Sequence, residues 1–131
     1  MSAVSNTLLI IEDNQQNFYL MRFMLEKNGF KVIGAENGKD GIKLALEQRP
    51  RAILLDIQLP EMDGYAVAAE LKKHNALEGV PIIAVTSYAM VGDRERILAA
   101  GATGYIEKPI NPETFVEEIR NYMCEKGLEA R

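Results

Sequence analysis

Five residues in this chain carry the means for chemistry at an anionic group: Glu12, Asp13, Asp56, Thr86 and Lys108. Asp56 ends the apolar run Ala52-Ile53-Leu54-Leu55 and opens Ile57-Gln58-Leu59-Pro60-Glu61-Met62-Asp63-Gly64, in which Pro60 and Asp63-Gly64 are turn residues. A carboxylate where a buried strand ends is unfavourable unless a cation meets it. Glu12 and Asp13 follow a second apolar run, Thr7-Leu8-Leu9-Ile10-Ile11. Acids brought together repel one another, and a hard divalent cation relieves that repulsion. Mg²⁺, with Mn²⁺ as the alternative, takes oxygen ligands and keeps waters that a phosphate oxygen can replace. Glu12, Asp13, Asp56 and the backbone carbonyl of Gln58 fit such a set. A carboxylate between a metal and a fixed amine can attack a phosphoryl group, whose oxygens need positive charge around them. Lys108 would supply the amine and Thr86 a hydroxyl donor.

Positioning these residues requires an alternation of strands and helices. Thr7 to Ile11 reads as a strand buried on both faces. A helix is expected from about Asn17 to Asn28, with Phe18, Met21 and Leu25 at helical spacing and Gly29 closing it. Lys31 to Ala35 is a short strand, and Asn37 caps a helix carrying Ile42, Ala45 and Leu46 that Pro50 ends. Ala52 to Leu55 is the third strand and Tyr65 to Lys73 a helix with Ala68 and Leu71 inward. Ile82 to Val85 follows Pro81 as the fourth strand, and a helix through Ile97 and Leu98 ends at Gly101. Thr103 to Ile106 is the fifth strand. Asn111-Pro112 caps a last helix with an apolar stripe of Phe115, Ile119 and Met123.

This alternation predicts a parallel sheet covered on both faces, an α/β doubly wound (βα)5 sandwich. The flavodoxin-like strand order 2-1-3-4-5 places ligands beyond the carboxyl ends of strands 1 and 3. Glu12, Asp13 and Asp56 fall at those two ends, Thr86 after strand 4 and Lys108 after strand 5.

The chain resembles the receiver domain of two-component response regulators over nearly its whole length. The resemblance rests on Glu12-Asp13, on Asp56 within Asp-x-x-Leu-Pro-x-x-Asp-Gly, on Thr86, on Tyr105 and on Lys108-Pro109, in that order. It implies that Asp56 accepts phosphate from the phosphohistidine of a sensor histidine kinase or a histidine phosphotransfer protein. It also implies that Asp13, Asp56 and the Gln58 carbonyl bind Mg²⁺ with Glu12 assisting, that Lys108 pairs with the phosphoryl group, and that the Lys108–Pro109 bond is cis. The glutamate at position 12 departs from the Asp-Asp pair also common in the family, and its extra methylene suits metal contact through water.

By the same resemblance Thr86 moves toward the phosphoryl group and Tyr105 turns inward as a switch. The face of the fourth helix, fifth strand and fifth helix then meets a downstream protein target. Tyr105, Glu107, Ile110, Asn111, Asp93 and Arg94 are the exposed candidates there. Gln58 and Tyr88 are the positions that tune dephosphorylation, and a bulky Tyr88 predicts slow hydrolysis.

Plainer readings stand beside these. A lone Asp at a strand end is usually a turn former, Asp13 or Asn14 can cap the first helix, and Tyr105 can simply pack. Asp93-Arg94-Glu95-Arg96 reads as a solvated helix face, and Phe18 and Phe23 as packing residues.

Composition narrows the function classes. The chain has 131 residues, 47% hydrophobic and 26% charged, the balance of one globular domain. Its net charge of −4 disfavours nucleic acid as a partner. One cysteine, Cys124, and one histidine, His74, exclude a disulfide and a histidine-rich metal centre. No signal peptide or membrane-spanning run is present, so a cytoplasmic location is expected. Residues 1–131 are expected to form a single stand-alone receiver without an output domain. Such a protein signals rather than turning over a substrate, and catalyses its own phosphorylation and dephosphorylation. A haloacid-dehalogenase-type phosphatase would place a second Asp where Gln58 stands and would need a cap. A flavodoxin would need a phosphate loop in place of Glu12-Asp13-Asn14-Gln15, whose charge repels FMN phosphate. A degenerate receiver serving as a scaffold would lack part of the set Asp13, Asp56, Thr86 and Lys108.

Overall fold

A computed structural model of the chain describes residues 6–59, 63–87 and 91–129, with Val91 and residues 124–129 described by their backbone. Pro60, Tyr88 and the Cys124 side chain, all named above, lie outside the described residues. Strands β1 (Thr7–Ile11), β2 (Lys31–Ala35), β3 (Ala52–Asp56), β4 (Ile82–Thr86) and β5 (Gly104–Glu107) pair in parallel in the order β2-β1-β3-β4-β5. Helices α1 (Gln15–Lys27), α2 (Gly38–Gln48), α3 (Gly64–Lys72), α4 (Val91–Ala99) and α5 (Phe115–Glu129) connect or follow them. The expected order is therefore the observed one. Among the described residues no helix is long and apolar enough to cross a membrane.

Alternation along each strand divides the core in two. Leu8, Ile10, Leu54, Ile83, Val85 and Ile106 face one side and pack with Met21 and Leu25 of α1 and Phe115, Ile119 and Met123 of α5. Leu9, Ile11, Ile53, Leu55 and Ile82 face the other, against Ala45 of α2 and Val67, Ala68 and Leu71 of α3. A smaller cluster of Ile57, Ala84, Ile97 and Ala102 seats α4. β3 and β4 are buried at every position because both their faces are covered, so they read as unbroken apolar runs. Each fully buried Leu or Ile on these strands contributes roughly 1.5–3 kcal/mol.

Element ends follow local chemistry. α1 starts at Gln15 rather than Asn17, because Asn14 is the cap and its Oδ1 accepts from Asn17 N–H at 2.9 Å. Asn37 caps α2 as expected, accepting from Asp40 N–H at 2.8 Å. Asp63 does the same for α3 through Ala66 N–H at 2.8 Å. Asn111 heads a turn before α5: its Oδ1 accepts from Glu113 N–H and its carbonyl from Thr114 and Phe115 N–H. The helix proper starts at Phe115, later than the Asn111-Pro112 pair suggests. β5 runs one residue later than expected, and a short 3₁₀ turn, Asn75–Leu77, precedes β4.

Three expectations are corrected. Phe23 is 64% exposed on α1 rather than packed, because Met21, Met24 and Leu25 form the inner face. Ile110 belongs to the core and is not available on the partner face. The charged run of α4 is not uniformly solvated: Asp93 and Arg94 are half-buried, and Arg94 and Arg96 lie over aromatic rings.

Candidate functional site

The carboxyl ends of β1, β3, β4 and β5 meet at one rim. Ile11 pairs with Leu55 in register, so Glu12, just past β1, and Asp56, the last residue of β3, stand side by side. Asp56 in turn pairs with Val85, which brings the end of β4 beside it. Thr86 pairs with Glu107, and the Lys108 N–H donates to the Thr86 carbonyl at 2.8 Å, which carries Lys108 to the same rim.

Here the structure brings the expected residues together. Carboxylate oxygens of Glu12, Asp13 and Asp56 all lie within 4.8 Å of one another, with Asp13 exposed and the other two buried. The Lys108 Nζ sits 3.3 Å from Glu12 Oε1 and 3.4 Å from Asp56 Oδ1. Its side chain is 13% exposed, so the amine reaches the acids from a largely covered path. Asp56 Oδ1 also accepts from the Gln58 N–H at 2.9 Å, which folds the following loop back over the carboxylate and keeps Gln58 at the site. Thr86 is fully buried at the end of β4. Tyr105 is half-buried on β5, and the Lys108–Pro109 bond is cis.

The loop leaving Asp56 is held by a close backbone approach. Gly64 N–H donates to the Ile57 carbonyl at 2.9 Å, and a Cβ on Gly64 would stand 2.4 Å from Ile57 Cα and 2.8 Å from the Asp56 carbonyl oxygen. Only glycine fits there. The Asp63-Gly64 pair thus does two jobs, one as cap and one as contact, which the turn signal alone did not separate.

The electrostatics of this rim call for positive charge. Burial pushes the Glu12 carboxyl up to about 7; the charge of Asp56 and a hydrogen bond with it add to the effect, while Lys108 and the Asn14 N–H oppose it. Glu12 Oε2 accepts from Asn14 N–H at 3.2 Å, whereas Oε1 is buried with the Lys108 amine 3.3 Å away. One amine therefore faces two buried carboxylates, and the exposed carboxylate of Asp13 lies within 4.8 Å of both acids. Carboxylate oxygens at this spacing, two of the three acids buried, fit a small divalent cation.

Two contacts near the site escaped the sequence reading. Arg94 lies over the Tyr105 ring, its guanidinium carbon 5.3 Å from the centroid. Tyr122 bonds the Tyr105 backbone. The signal for Tyr122 was its place on the apolar stripe of α5, three residues after Ile119; its phenol could not be paired with Gly104 and Tyr105 without the register.

Known proteins resemble this chain in sequence and in fold. A family model described as the response regulator receiver domain matches residues 8–120. The polar-differentiation response regulator DivK of Brucella anthropi is 44% identical over 117 residues, covering 89% of this chain and 95% of that protein. DivK of Brucella ovis is 42% identical over 120 residues, or 92% of this chain and 98% of that protein. Among solved structures, a CheY-like receiver domain protein from Methanospirillum hungatei superposes with a TM-score of 0.87 at 29% identity, over 96% of this chain and 99% of that one. The receiver domain of a sensor histidine kinase from Pseudomonas aeruginosa, with a magnesium ion coordinated in its active-site cleft, has a TM-score of 0.83 at 33% identity, over 92% of this chain and 98% of that one.

Proposed function

This chain belongs to the receiver domain family of two-component response regulators, and from that premise we propose that Asp56 is its phosphoacceptor. The observation that carries the reading is the Lys108 amine held between Glu12 and Asp56 at 3.3 and 3.4 Å. An oxygen of Asp56 attacks the phosphorus of a phosphohistidine. An O–P bond forms, the N–P bond breaks, and its electron pair stays on the imidazole nitrogen, which takes a proton from solvent. Lys108 balances charge on the transferred oxygens, and the buried Thr86 hydroxyl donates to one of them. Asp13, Asp56 and the Gln58 carbonyl, with Glu12, hold Mg²⁺ or Mn²⁺; when bound, the ion offsets the repulsion between the acids and the incoming phosphoryl group. The same residues support self-catalysed phosphorylation and slow dephosphorylation, with Gln58 at the solvent side of the acceptor.

Receiver membership implies a histidine kinase as the upstream partner. The downstream partner is a protein that meets the face of α4, β5 and α5. Tyr105, Glu107 and Asn111 are available there, with Asp93 and Arg94 half-buried beside them. Tyr105 is the switch aromatic: its side chain borders the small cluster that seats α4, which follows Thr86 in the chain.

Incubation with Mg²⁺ and acetyl phosphate, followed by intact mass, tests the assignment. The wild-type protein should gain one phosphoryl group that hydroxylamine removes, as an acyl phosphate requires. Asp56→Asn should gain none, and a chelator should abolish the reaction. Equal labelling of Asp56→Asn would move the acceptor elsewhere.

A further inference from the structure

Tyr105 is held at two points by residues outside the acidic site. β5 is the last strand of the sheet, so the outward side of its backbone has no neighbouring strand. The Tyr122 phenol takes that place: its oxygen accepts from the Tyr105 N–H at 3.3 Å and donates to the Tyr105 carbonyl at 3.0 Å. Gly104 allows the approach, because a Cβ there would fall 2.1 Å from Tyr122 Cε1. A single phenol therefore satisfies both edge groups of one residue and fixes its backbone. The ring is held separately. The Arg94 guanidinium carbon lies 5.3 Å from its centroid, and Arg94 Nε is buried without a hydrogen bond among the described residues. The attraction of that cation for the ring is the contact the structure gives it. Arg96, two residues on, makes the same kind of contact with Tyr65, 4.2 Å from that centroid, so α4 is gripped between rings on α3 and β5.

We propose that Arg94 is a positioning residue that sets the resting orientation of the Tyr105 ring, while Tyr122 pins the backbone about which that ring turns. The inference rests on the reading of Tyr105 as the switch aromatic. With its backbone pinned, Tyr105 changes place through side-chain torsions, and the contact with Arg94 is given up when it does. Coupling between two arrangements is reciprocal. Whatever favours the resting ring therefore opposes the phosphorylated arrangement by the same factor.

The test uses protein with ¹³C-labelled tyrosine rings, followed by NMR with and without acetyl phosphate and Mg²⁺. Arg94→Gln keeps a polar side chain, one methylene shorter, and removes the charge; Arg94→Lys keeps a charge; Tyr122→Phe removes the one hydroxyl. In wild type the Tyr105 ring signal should move on phosphorylation. In Arg94→Gln without phosphodonor it should already stand part-way to the phosphorylated position. The initial phosphorylation rate should rise about two- to five-fold, the loss of one cation–π contact. Arg94→Lys should stay closer to wild type. Tyr122→Phe should speed amide exchange at Tyr105, which separates the backbone pin from the ring contact. A wild-type ring that moves while Arg94→Gln keeps the wild-type position and rate would overturn the positioning role. A wild-type ring that does not move would instead overturn the switch reading beneath it.

Discussion

Lys108 and Thr86 are joined by one backbone hydrogen bond: the lysine N–H donates to the threonine carbonyl across 2.8 Å. The amine and the hydroxyl, one just after β5 and the other on the last residue of β4, thus share a single rung of the β4–β5 ladder. Their relative position is set by the sheet, leaving the lysine side chain to reach the two acids.

Replacing Lys108 by methionine keeps the stem and deletes the charge. Loss of a fixed cation beside a transferring group lowers rates by roughly 10²-fold or more. The rate of phosphoryl uptake from acetyl phosphate at saturating Mg²⁺ should fall by that order. A fall smaller than about threefold would take Lys108 out of the reaction.

Glu12 predicts an unusual pH dependence. Its carboxyl is raised from 4.5 to about 7 in the folded chain, so the folded state holds that proton more tightly than the unfolded one. Its contribution to stability is complete below pH 4.5 and is lost as pH rises through about 7. Solvent at the rim screens part of the effect, leaving about 1–3 kcal/mol. Urea titrations of the metal-free protein should show wild type losing stability relative to Glu12→Gln between pH 5 and 8 on that order. Mg²⁺ affinity should strengthen over the same interval, because an ionised Glu12 is the better neighbour for the ion. Parallel pH profiles for wild type and Glu12→Gln would remove Glu12 from this linkage.

Gly64→Ala should destabilise the fold by about 1–3 kcal/mol, the usual result of forcing a methyl group into occupied space. The methyl would meet Ile57 Cα at 2.4 Å, and backbone yields less easily than a side chain. Because Ile57 follows Asp56, phosphoryl uptake should also slow, even at temperatures where the variant is fully folded. A variant with wild-type denaturation midpoint and wild-type uptake would show that the loop can shift freely.

Gly104→Ala acts at the sheet edge. The new methyl would displace the Tyr122 ring, 2.1 Å away, and strip both hydrogen bonds from the Tyr105 backbone. An uncovered edge strand invites pairing with another chain. The variant should lose about 1–3 kcal/mol and associate at concentrations where wild type does not, as sedimentation would reveal. Tyr122→Phe, which keeps the ring, should show the milder form of both effects.

The fold was legible because its central strands are covered twice. β1, β3 and β4 present unbroken apolar runs, and the acids at their ends stand out against them. The cluster of Glu12, Asp13, Asp56 and Lys108 was legible for the same reason: each residue ends a strand or lies within two residues of a strand's end. What remained hidden depends on tertiary register. Arg94 looks solvated in sequence because charge usually marks a helix surface, yet a ring from β5 lies beneath it. Phe23 looks like core because it is aromatic, yet three neighbouring positions already fill that face of α1. Ile110 sits in the loop after β5 and turns inward, which no periodicity in a loop announces.

The acidic residues of the rim come from the first half of the chain and the amine from its last quarter. During synthesis Glu12, Asp13 and Asp56 leave the ribosome well before Lys108, and the final strand must dock before the amine arrives. A nascent or truncated chain would carry the acids with no counterweight. Competence to receive a signal would then begin only when the last piece of sheet is in place, making the label itself a report of completed folding.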